Sequence, residues 1–195
     1  MGRRAEIKRE TKETSISLVL DLDGQGQAQV ETGVGFFDHM LTHLAFHGYF
    51  DLELKAKGDL HVDAHHTVED VGICLGQALD QALGDRRGIV RYGSALVPMD
   101  ESLAQVVVDL SNRPLLKLDA ARLPGTVGGF DGQLAAEFWR ALALQGGLTL
   151  HVRLLYGIND HHILEAAFKA LGRALDQATA LDPRKRSSAS TKGVL

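Results

Sequence analysis

The stretch HHTVEDVGICLGQALDQAL at residues 65–83 returns as HHILEAAFKALGRALDQAT at residues 161–179. Each copy opens with two adjacent histidines, and a glutamate follows four positions after the first of them. Seven positions beyond the glutamate also agree, at a constant spacing of 96 residues. Agreement at one fixed spacing through a whole helix indicates an internal duplication. We therefore predict two long helices that begin at the histidine pairs and belong to two copies of one unit.

The start of each repeated helix carries a set of metal-type side chains. On a helix the glutamate lies one turn from both histidines, so a single turn presents three ligands. Histidine nitrogen together with carboxylate oxygen suits manganese, iron or zinc, and the lack of cysteine in these sets argues against a structural zinc site. Two copies imply approximate two-fold symmetry and hence two metals. The predicted ligands are His65, His66, Glu69, His161, His162 and Glu165.

The segments between these helices predict the rest of each unit. Residues 15–23, SISLVLDLD, alternate like a strand, and residues 27–32, QAQVET, give a second strand that we expect to pair with it as a hairpin. A short amphipathic helix at residues 35–48 and a strand at residues 49–58 follow. The second half has the same order of segments. We predict an α+β fold, built by duplication of a strand-strand-helix-strand-helix unit, with helices packed on one face of mainly antiparallel sheets.

The whole chain of 195 residues is interpreted as a single catalytic domain. Its two repeats span about residues 6–93 and about residues 94–181, and residues 182–195 form a polar C-terminal tail. With 21 basic and 25 acidic residues the formal net charge is −4, which gives no electrostatic footprint for nucleic acid or an anionic membrane. There is also no apolar stretch long enough to cross a bilayer. We expect a soluble, cytoplasmic protein.

Further site candidates come from the short helices. His39, His43 and His47 recur every four residues and so lie near one stripe. His39 is the stronger candidate for a ligand, whereas His43 and His47 either serve the site or line a solvent-facing edge. Aligning the glycines that end the two short helices, 98 residues apart, places Glu137 at the position of His39. Glu137 is then either a metal ligand or an exposed helix glutamate.

Five stretches of the chain together resemble imidazoleglycerol-phosphate dehydratase of histidine biosynthesis, and the similarity covers nearly the whole sequence. They are DHML at 38–41, DAHHTVED at 63–70, PMDESL at 98–103, GINDHHILEAAFKALGRAL at 157–175 and STKGVL at 190–195. The two histidine-pair motifs occur at the family's spacing and in its context. The chain departs from the family's usual pattern at two positions, with His43 where many members have glutamine and Glu137 where many have histidine.

The resemblance implies a hydro-lyase, a carbon–oxygen lyase that dehydrates imidazole glycerol phosphate to imidazole acetol phosphate. It implies two Mn²⁺ ions per active site and a homo-oligomer of 24 subunits built from trimers, with sites between subunits. The implied catalytic residues are Glu13, His39 and Glu165. The implied substrate-binding residues are Glu13, Arg91, Arg113, Ser190 and Lys192, most of them for the phosphate. The resemblance adds His39 to the six histidine-pair residues as a metal ligand, and the alignment of the short helices adds Glu137 to the predicted ligands. Alignment of the first strands makes Glu101 the counterpart of Glu13.

The chemistry of that reaction explains the use of metal. The proton to be removed lies beside a carbinol carbon with no carbonyl to acidify it, so the imidazole ring must drive the elimination. A metal-bound imidazolate would push electrons toward the hydroxyl-bearing carbon and expel hydroxide. A carboxylate such as Glu13 can shuttle the protons, and such general acid–base catalysis usually contributes about 10²–10⁴-fold.

Two other functions use the same ligands. One is a non-catalytic metal-binding or storage assembly, which does not require Arg91, Arg113 or the Ser/Lys tail. The other is a metal-dependent phosphohydrolase, which requires an open, water-bearing metal position and no imidazole-specific geometry.

Overall fold

The computed structural model describes residues 2–121 and 123–184, which form four helices and ten strands. The first half contains β1 (Arg4–Glu10), β2 (Thr14–Asp21), β3 (Ala28–Glu31), α1 (Gly35–Gly48), β4 (Asp51–Gly58) and α2 (His65–Leu83). The second half contains β5 (Tyr92–Met99), β6 (Ser102–Asp109), β7 (Leu115–Ala120), β8 (Thr126–Val127), β9 (Phe130–Asp131), α3 (Gln133–Gln145), β10 (Thr149–Tyr156) and α4 (Asp160–Thr179). In those described stretches no helix combines the length and apolar character needed to cross a membrane.

The two halves build four-stranded sheets with the same topology. The strand order is β1-β2-β4-β3 in one sheet and β5-β6-β10-β7 in the other. In each sheet the first three strands are antiparallel and the last is parallel to its neighbour. The predicted α+β class and internal duplication are thus confirmed. Each predicted unit is preceded by one further strand, β1 or β5.

The predicted hairpin between residues 15–23 and 27–32 is wrong. β3 pairs in parallel with β4, with Ala28 opposite Leu52, and β1 forms the hairpin with β2. The helix α1 lies between β3 and β4 in the chain, which allows the crossover that a parallel pair needs. β1 is rich in charge, but its Ala5 and Ile7 point inward while the charged residues between them face solvent. This alternation suits an edge strand beside β2, whose buried side chains include Ile16, Leu18 and Leu20.

The helices form a layer between the two sheets. α2 packs on β1 and β2, and α4 packs on β5 and β6. Each short helix packs against the long helix of the other repeat, α1 against α4 and α3 against α2. Fully buried aromatic side chains, including Phe37, Phe138, Trp139 and Phe168, fill this layer. The two repeats therefore share one core, and helices lie on one face of each sheet as predicted.

Two glycines let the helix pairs approach closely, and they do so at equivalent places. A Cβ added to Gly172 of α4 would lie 2.5 Å from the carbonyl oxygen of Leu44 on α1. A Cβ added to Gly76 of α2 would lie 2.9 Å from the carbonyl oxygen of Leu142 on α3. The glycines are 96 residues apart and the leucines 98 residues apart. These are the spacings that the sequence repeats predict, so the helix alignment holds in three dimensions.

Replacing Gly172 with alanine should destabilise the protein. The new methyl group would meet backbone atoms of Leu44 and Gly48, which cannot move aside like the end of a flexible side chain. Overpacking of this kind costs about 1–3 kcal/mol. Gly35→Ala is the matched control, because nothing lies within 4 Å of a Cβ at that position. Chemical unfolding of both variants measures the difference. Equal stability of the two variants would contradict the proposed helix contact.

Candidate metal centre

Side chains of α1 and α4 converge on one carboxylate oxygen. Glu165 of α4 is buried, with 5% of its surface exposed. Its Oε2 lies 3.0 Å from Nε2 of His161, 3.3 Å from Nε2 of His39 and 3.5 Å from Nε2 of His43. Nε2 of His39 and Nε2 of His43 are themselves 3.3 Å apart. Three imidazole nitrogens thus surround a single oxygen at the junction of the two helices.

This spacing fits a transition-metal ion. Two ligand atoms that bind an ion at about 2.1 Å with a tetrahedral angle between them are about 3.4 Å apart. The separations among Oε2 of Glu165, Nε2 of His39 and Nε2 of His43, which are 3.3, 3.5 and 3.3 Å, match that value. In residues 2–121 and 123–184, one group of three metal-type side chains places its ligand atoms within 4.8 Å of one another, and it consists of His39, His43 and Glu165. Imidazole and carboxylate together suit first-row divalent metals.

The protonation states at this junction favour metal binding. Burial alone would raise the pKa of Glu165, but the hydrogen bond from Lys169 and the interactions with His43 and His161 lower that pKa to about 2. The ammonium of Lys169 lies 2.6 Å from Oε1 of Glu165. Burial lowers the pKa of His43 to about 4. Near neutral pH the carboxylate is therefore charged and the imidazole neutral, which are the forms that bind metals.

The second histidine of the α4 pair points the other way, toward the turn between β5 and β6. Nδ1 of His162 lies 2.7 Å from Oε2 of Glu101. The other oxygen of Glu101 accepts hydrogen bonds from the backbone N–H groups of Ile158 and Asn159, at 3.1 and 2.8 Å. These N–H groups, with His162, hold the pKa of Glu101 far below its usual range. With Nδ1 engaged by a carboxylate, Nε2 is the nitrogen left to bind a metal.

The second histidine of the α2 pair has an equivalent environment. Nδ1 of His66 lies 3.0 Å from Oδ2 of Asp59 and 3.9 Å from Oε2 of Glu13. The hydrogen bond with Asp59 raises the pKa of His66. Glu13 and Glu101 thus face the second histidine of their own pair, as their alignment predicts. The two carboxylates differ in how firmly hydrogen bonds hold them. Within the described residues the Glu13 carboxylate accepts no hydrogen bond and is half exposed.

The first histidine pair is not assembled in the same way as the second. In the described part of the chain Glu137 of α3 forms an ion pair with Arg140, and it makes no hydrogen bond or ion pair with His65 or Glu69. Its side chain is 28% exposed. Ligation by Glu137 therefore stays a prediction.

The predicted phosphate-binding residues lie partly within the described structure. Arg91 is buried, and its Nε donates a hydrogen bond of 2.7 Å to Oδ1 of Asp109. Arg113 is exposed, and its Nη2 lies 3.4 Å from Oδ2 of the same aspartate. The two guanidinium groups are therefore brought together by one carboxylate. Ser190 and Lys192 lie outside the described residues.

Two charged residues at the site were not singled out from the sequence. Lys169 follows Glu165 by four residues on α4, and that spacing was a signal of pairing. Asp59 lies in the loop after β4 and has no counterpart in the second half, so the repeat gives no indication of it.

Removing the carboxylate of Glu101 should weaken metal binding. Glu101→Ala frees the ring of His162 and the backbone that leads into α4, and loss of such a partner typically lowers metal affinity about 10- to 100-fold. Asp100→Asn is the matched control, because that carboxylate lies 3.7 Å from the same ring and asparagine tolerates its positive φ of 46°. Competition with a chromophoric chelator measures the affinity. Equal affinity of the two variants would show that Glu101 does not orient His162.

Comparison with known proteins identifies the family. The sequence model of imidazoleglycerol-phosphate dehydratase matches residues 32–175. The imidazoleglycerol-phosphate dehydratase of Desulforamulus reducens is 60% identical over 195 residues, and that of Geobacillus kaustophilus is 58% identical over 195 residues. Each alignment covers 100% of both chains.

Solved structures agree with the sequence comparison. The crystal structure of the enzyme from Pyrococcus furiosus in complex with (S)-C348 superposes with a TM-score of 0.84 and 41% identity, over 97% of this chain and 100% of that one. The enzyme from Staphylococcus aureus gives a TM-score of 0.82 and 41% identity, over 92% and 99%. The chain therefore belongs to the imidazoleglycerol-phosphate dehydratase family and is an enzyme of the hydro-lyase class.

Proposed function

We propose that this chain dehydrates imidazole glycerol phosphate to imidazole acetol phosphate and requires bound Mn²⁺ to do so. Its place in the family already assigns it a dehydratase role in histidine biosynthesis. The observation that supports metal dependence is the convergence of His39, His43 and His161 on Oε2 of Glu165. Neither a storage assembly nor a phosphohydrolase accounts for full-length identity of 58–60% to named dehydratases.

Two centres would hold two ions in each active site. His39, His161 and Glu165 would supply one centre, and His65, Glu69 and Glu137 the other. Asp59 engages Nδ1 of His66, and Glu101 engages Nδ1 of His162. Each histidine would therefore bind an ion through its other ring nitrogen, Nε2. When bound, the ions would supply positive charge that stabilises the imidazole ring of the substrate after it loses its proton.

Glu13 is suited to move protons during the reaction. Its carboxylate is exposed and free of backbone hydrogen bonds in the described residues, and it lies 3.9 Å from Nδ1 of His66. An exposed carboxylate of this kind can exchange protons with a bound substrate. Glu101, held by two backbone N–H groups, is too strongly stabilised as an anion for this role. The lack of hydrogen bonds to the Glu13 carboxylate, compared with those to Glu101, supports Glu13 as the catalytic acid/base.

The phosphate would bind where two arginines meet. Asp109 holds Arg91 in place and lies within ion-pair distance of Arg113, so one buried and one exposed guanidinium face the same region. Arginine binds phosphate through paired, charge-assisted hydrogen bonds. Ser190 and Lys192 of the tail, at residues 182–195 by our division of the chain, would complete the phosphate site.

We also propose that the active site lies between subunits of a cytoplasmic homo-oligomer, with 24 subunits built from trimers. Val62 and Ile158 stand three residues before their histidine pairs and are 62% and 83% exposed. Exposed apolar side chains at equivalent places next to a site indicate a surface that another copy covers. The side chains of His39 and His161 are also 46% and 37% exposed, so a neighbour is needed to exclude water.

Turnover of imidazole glycerol phosphate should depend on metal. Protein stripped with a chelator should be inactive, and Mn²⁺ should restore formation of imidazole acetol phosphate.

Glu13→Gln should lower kcat by about 10²–10⁴-fold, since general acid–base catalysis contributes that much. Glu6→Gln is the matched control, because Glu6 is an exposed carboxylate on β1 that pairs only with Lys8 in the described residues.

Each alternative function predicts a different result in the same assay. A storage assembly would bind Mn²⁺ without turnover, and a phosphohydrolase would release inorganic phosphate instead of the keto product. Full activity in a preparation verified to be free of metal would contradict the proposed mechanism.

A further inference from the structure

The repeated helix contacts allow the two proposed centres to be compared position by position. Gly172 meets Leu44 as Gly76 meets Leu142, so α1 with α4 is equivalent to α2 with α3. The spacing of 96 residues relates the long helices, and the spacing of 98 relates the short ones. The resulting pairs are His161 with His65, Glu165 with Glu69, His39 with Glu137 and His43 with Ala141.

The two centres differ in their ligand atoms. The α1/α4 centre brings together three imidazoles, from His39, His43 and His161, and one carboxylate. The equivalent positions at the α2/α3 centre carry one imidazole, two carboxylates and the methyl group of Ala141. Ala141 is buried and has no ligand atom. The first centre is therefore rich in nitrogen, and the second is rich in oxygen.

His43 lies where a ligand of the first centre would lie. Its Nε2 is 3.3 Å from Nε2 of His39 and 3.5 Å from Oε2 of Glu165. Both distances are close to the separation of about 3.4 Å between tetrahedral ligands bound at about 2.1 Å. His47, one turn further along α1, belongs to the same stripe, but within the described residues no hydrogen bond or ion pair joins it to Glu165, in contrast to His39, His43 and His161.

The centres also differ in how ready they are to bind. At the α1/α4 centre the ligand atoms already surround Oε2 of Glu165. At the α2/α3 centre Glu137 is engaged by Arg140, whereas the equivalent position on α1 is Thr42, which carries no charge. An ion at the second centre must first displace an arginine from Glu137. The second centre should therefore fill after the first.

We propose that the two centres select metals differently, with His43 as an additional nitrogen ligand that makes the α1/α4 centre prefer Co²⁺ or Zn²⁺ over Mn²⁺ more strongly than the α2/α3 centre does. Nitrogen ligands favour the later first-row metals, whereas carboxylates suit Mn²⁺. With one equivalent of each ion per subunit, Co²⁺ then occupies the α1/α4 centre and Mn²⁺ is left to the α2/α3 centre. This inference rests on the two centres of the proposed function and adds a difference in metal selectivity between them.

The test uses the full-length, metal-free protein with one equivalent each of Co²⁺ and Mn²⁺ per subunit and no substrate. After gel filtration, elemental analysis should find both metals, and visible absorption should report nitrogen-ligated Co²⁺. His43→Ala should weaken Co²⁺ binding at least about tenfold, as loss of even an indirect partner does, and should change the Co²⁺ absorption spectrum. His47→Ala is the matched control and should keep the wild-type affinity and spectrum.

A second substitution separates ligation from folding. His43→Gln keeps a polar side chain of similar size and replaces the imidazole, so it should lose Co²⁺ affinity while its thermal unfolding stays like that of the wild type. Wild-type affinity and spectrum in His43→Gln would overturn the proposal, as would equal partition of Co²⁺ and Mn²⁺ over both centres. Selective binding without dehydration activity would refute the proposed function and leave this inference intact.

Discussion

The close approach of α1 and α4 is the constraint on which the described site depends. The backbone of Gly172 faces the carbonyl of Leu44 with no room for a Cβ, which would lie 2.5 Å from the oxygen. His39 and His43 therefore reach Glu165 across a helix interface without a side chain between the backbones at that point. A displacement of about 1 Å is enough to lower catalysis by about two orders of magnitude in a preorganised site. Gly172 therefore helps to position the metal-type side chains as well as to pack the two helices.

Duplication explains why the molecule has two such helix pairs, and divergence explains why they are not alike. Glu13 and Glu101 face equivalent histidines, yet Glu101 accepts hydrogen bonds from Ile158 and Asn159, whereas the Glu13 carboxylate accepts none in the described residues. One carboxylate is suited to hold a ring in place and the other to exchange protons. The two copies of one unit thus provide both a structural partner and a candidate acid/base, because the groups around the two carboxylates differ.

The sequence predicted those features that a repeat or a helical period encodes. The starts of α2 and α4, the α+β class and the correspondence of Glu13 with Glu101 all follow from fixed spacings. Strand pairing did not, because the alternation in β2 indicates burial but not which strands lie beside it, and the charges of β1 concealed its inward Ala5 and Ile7. The place of His43 in the α1/α4 group also could not be decided, because a histidine at that spacing fits a solvent-facing edge equally well. No repeat or periodic spacing in the sequence marks Asp59 as part of the site.

The central claim is that the histidine-pair helices each organise a metal centre. Anomalous diffraction at the manganese edge, from crystals grown with Mn²⁺ as the only transition metal, tests it most directly. We predict two peaks per subunit, one bounded by His39, His161 and Glu165 and the other by His65 and Glu69. A single peak, or peaks remote from Glu165, would contradict the account, because the convergence on that carboxylate would then have a purpose other than binding metal.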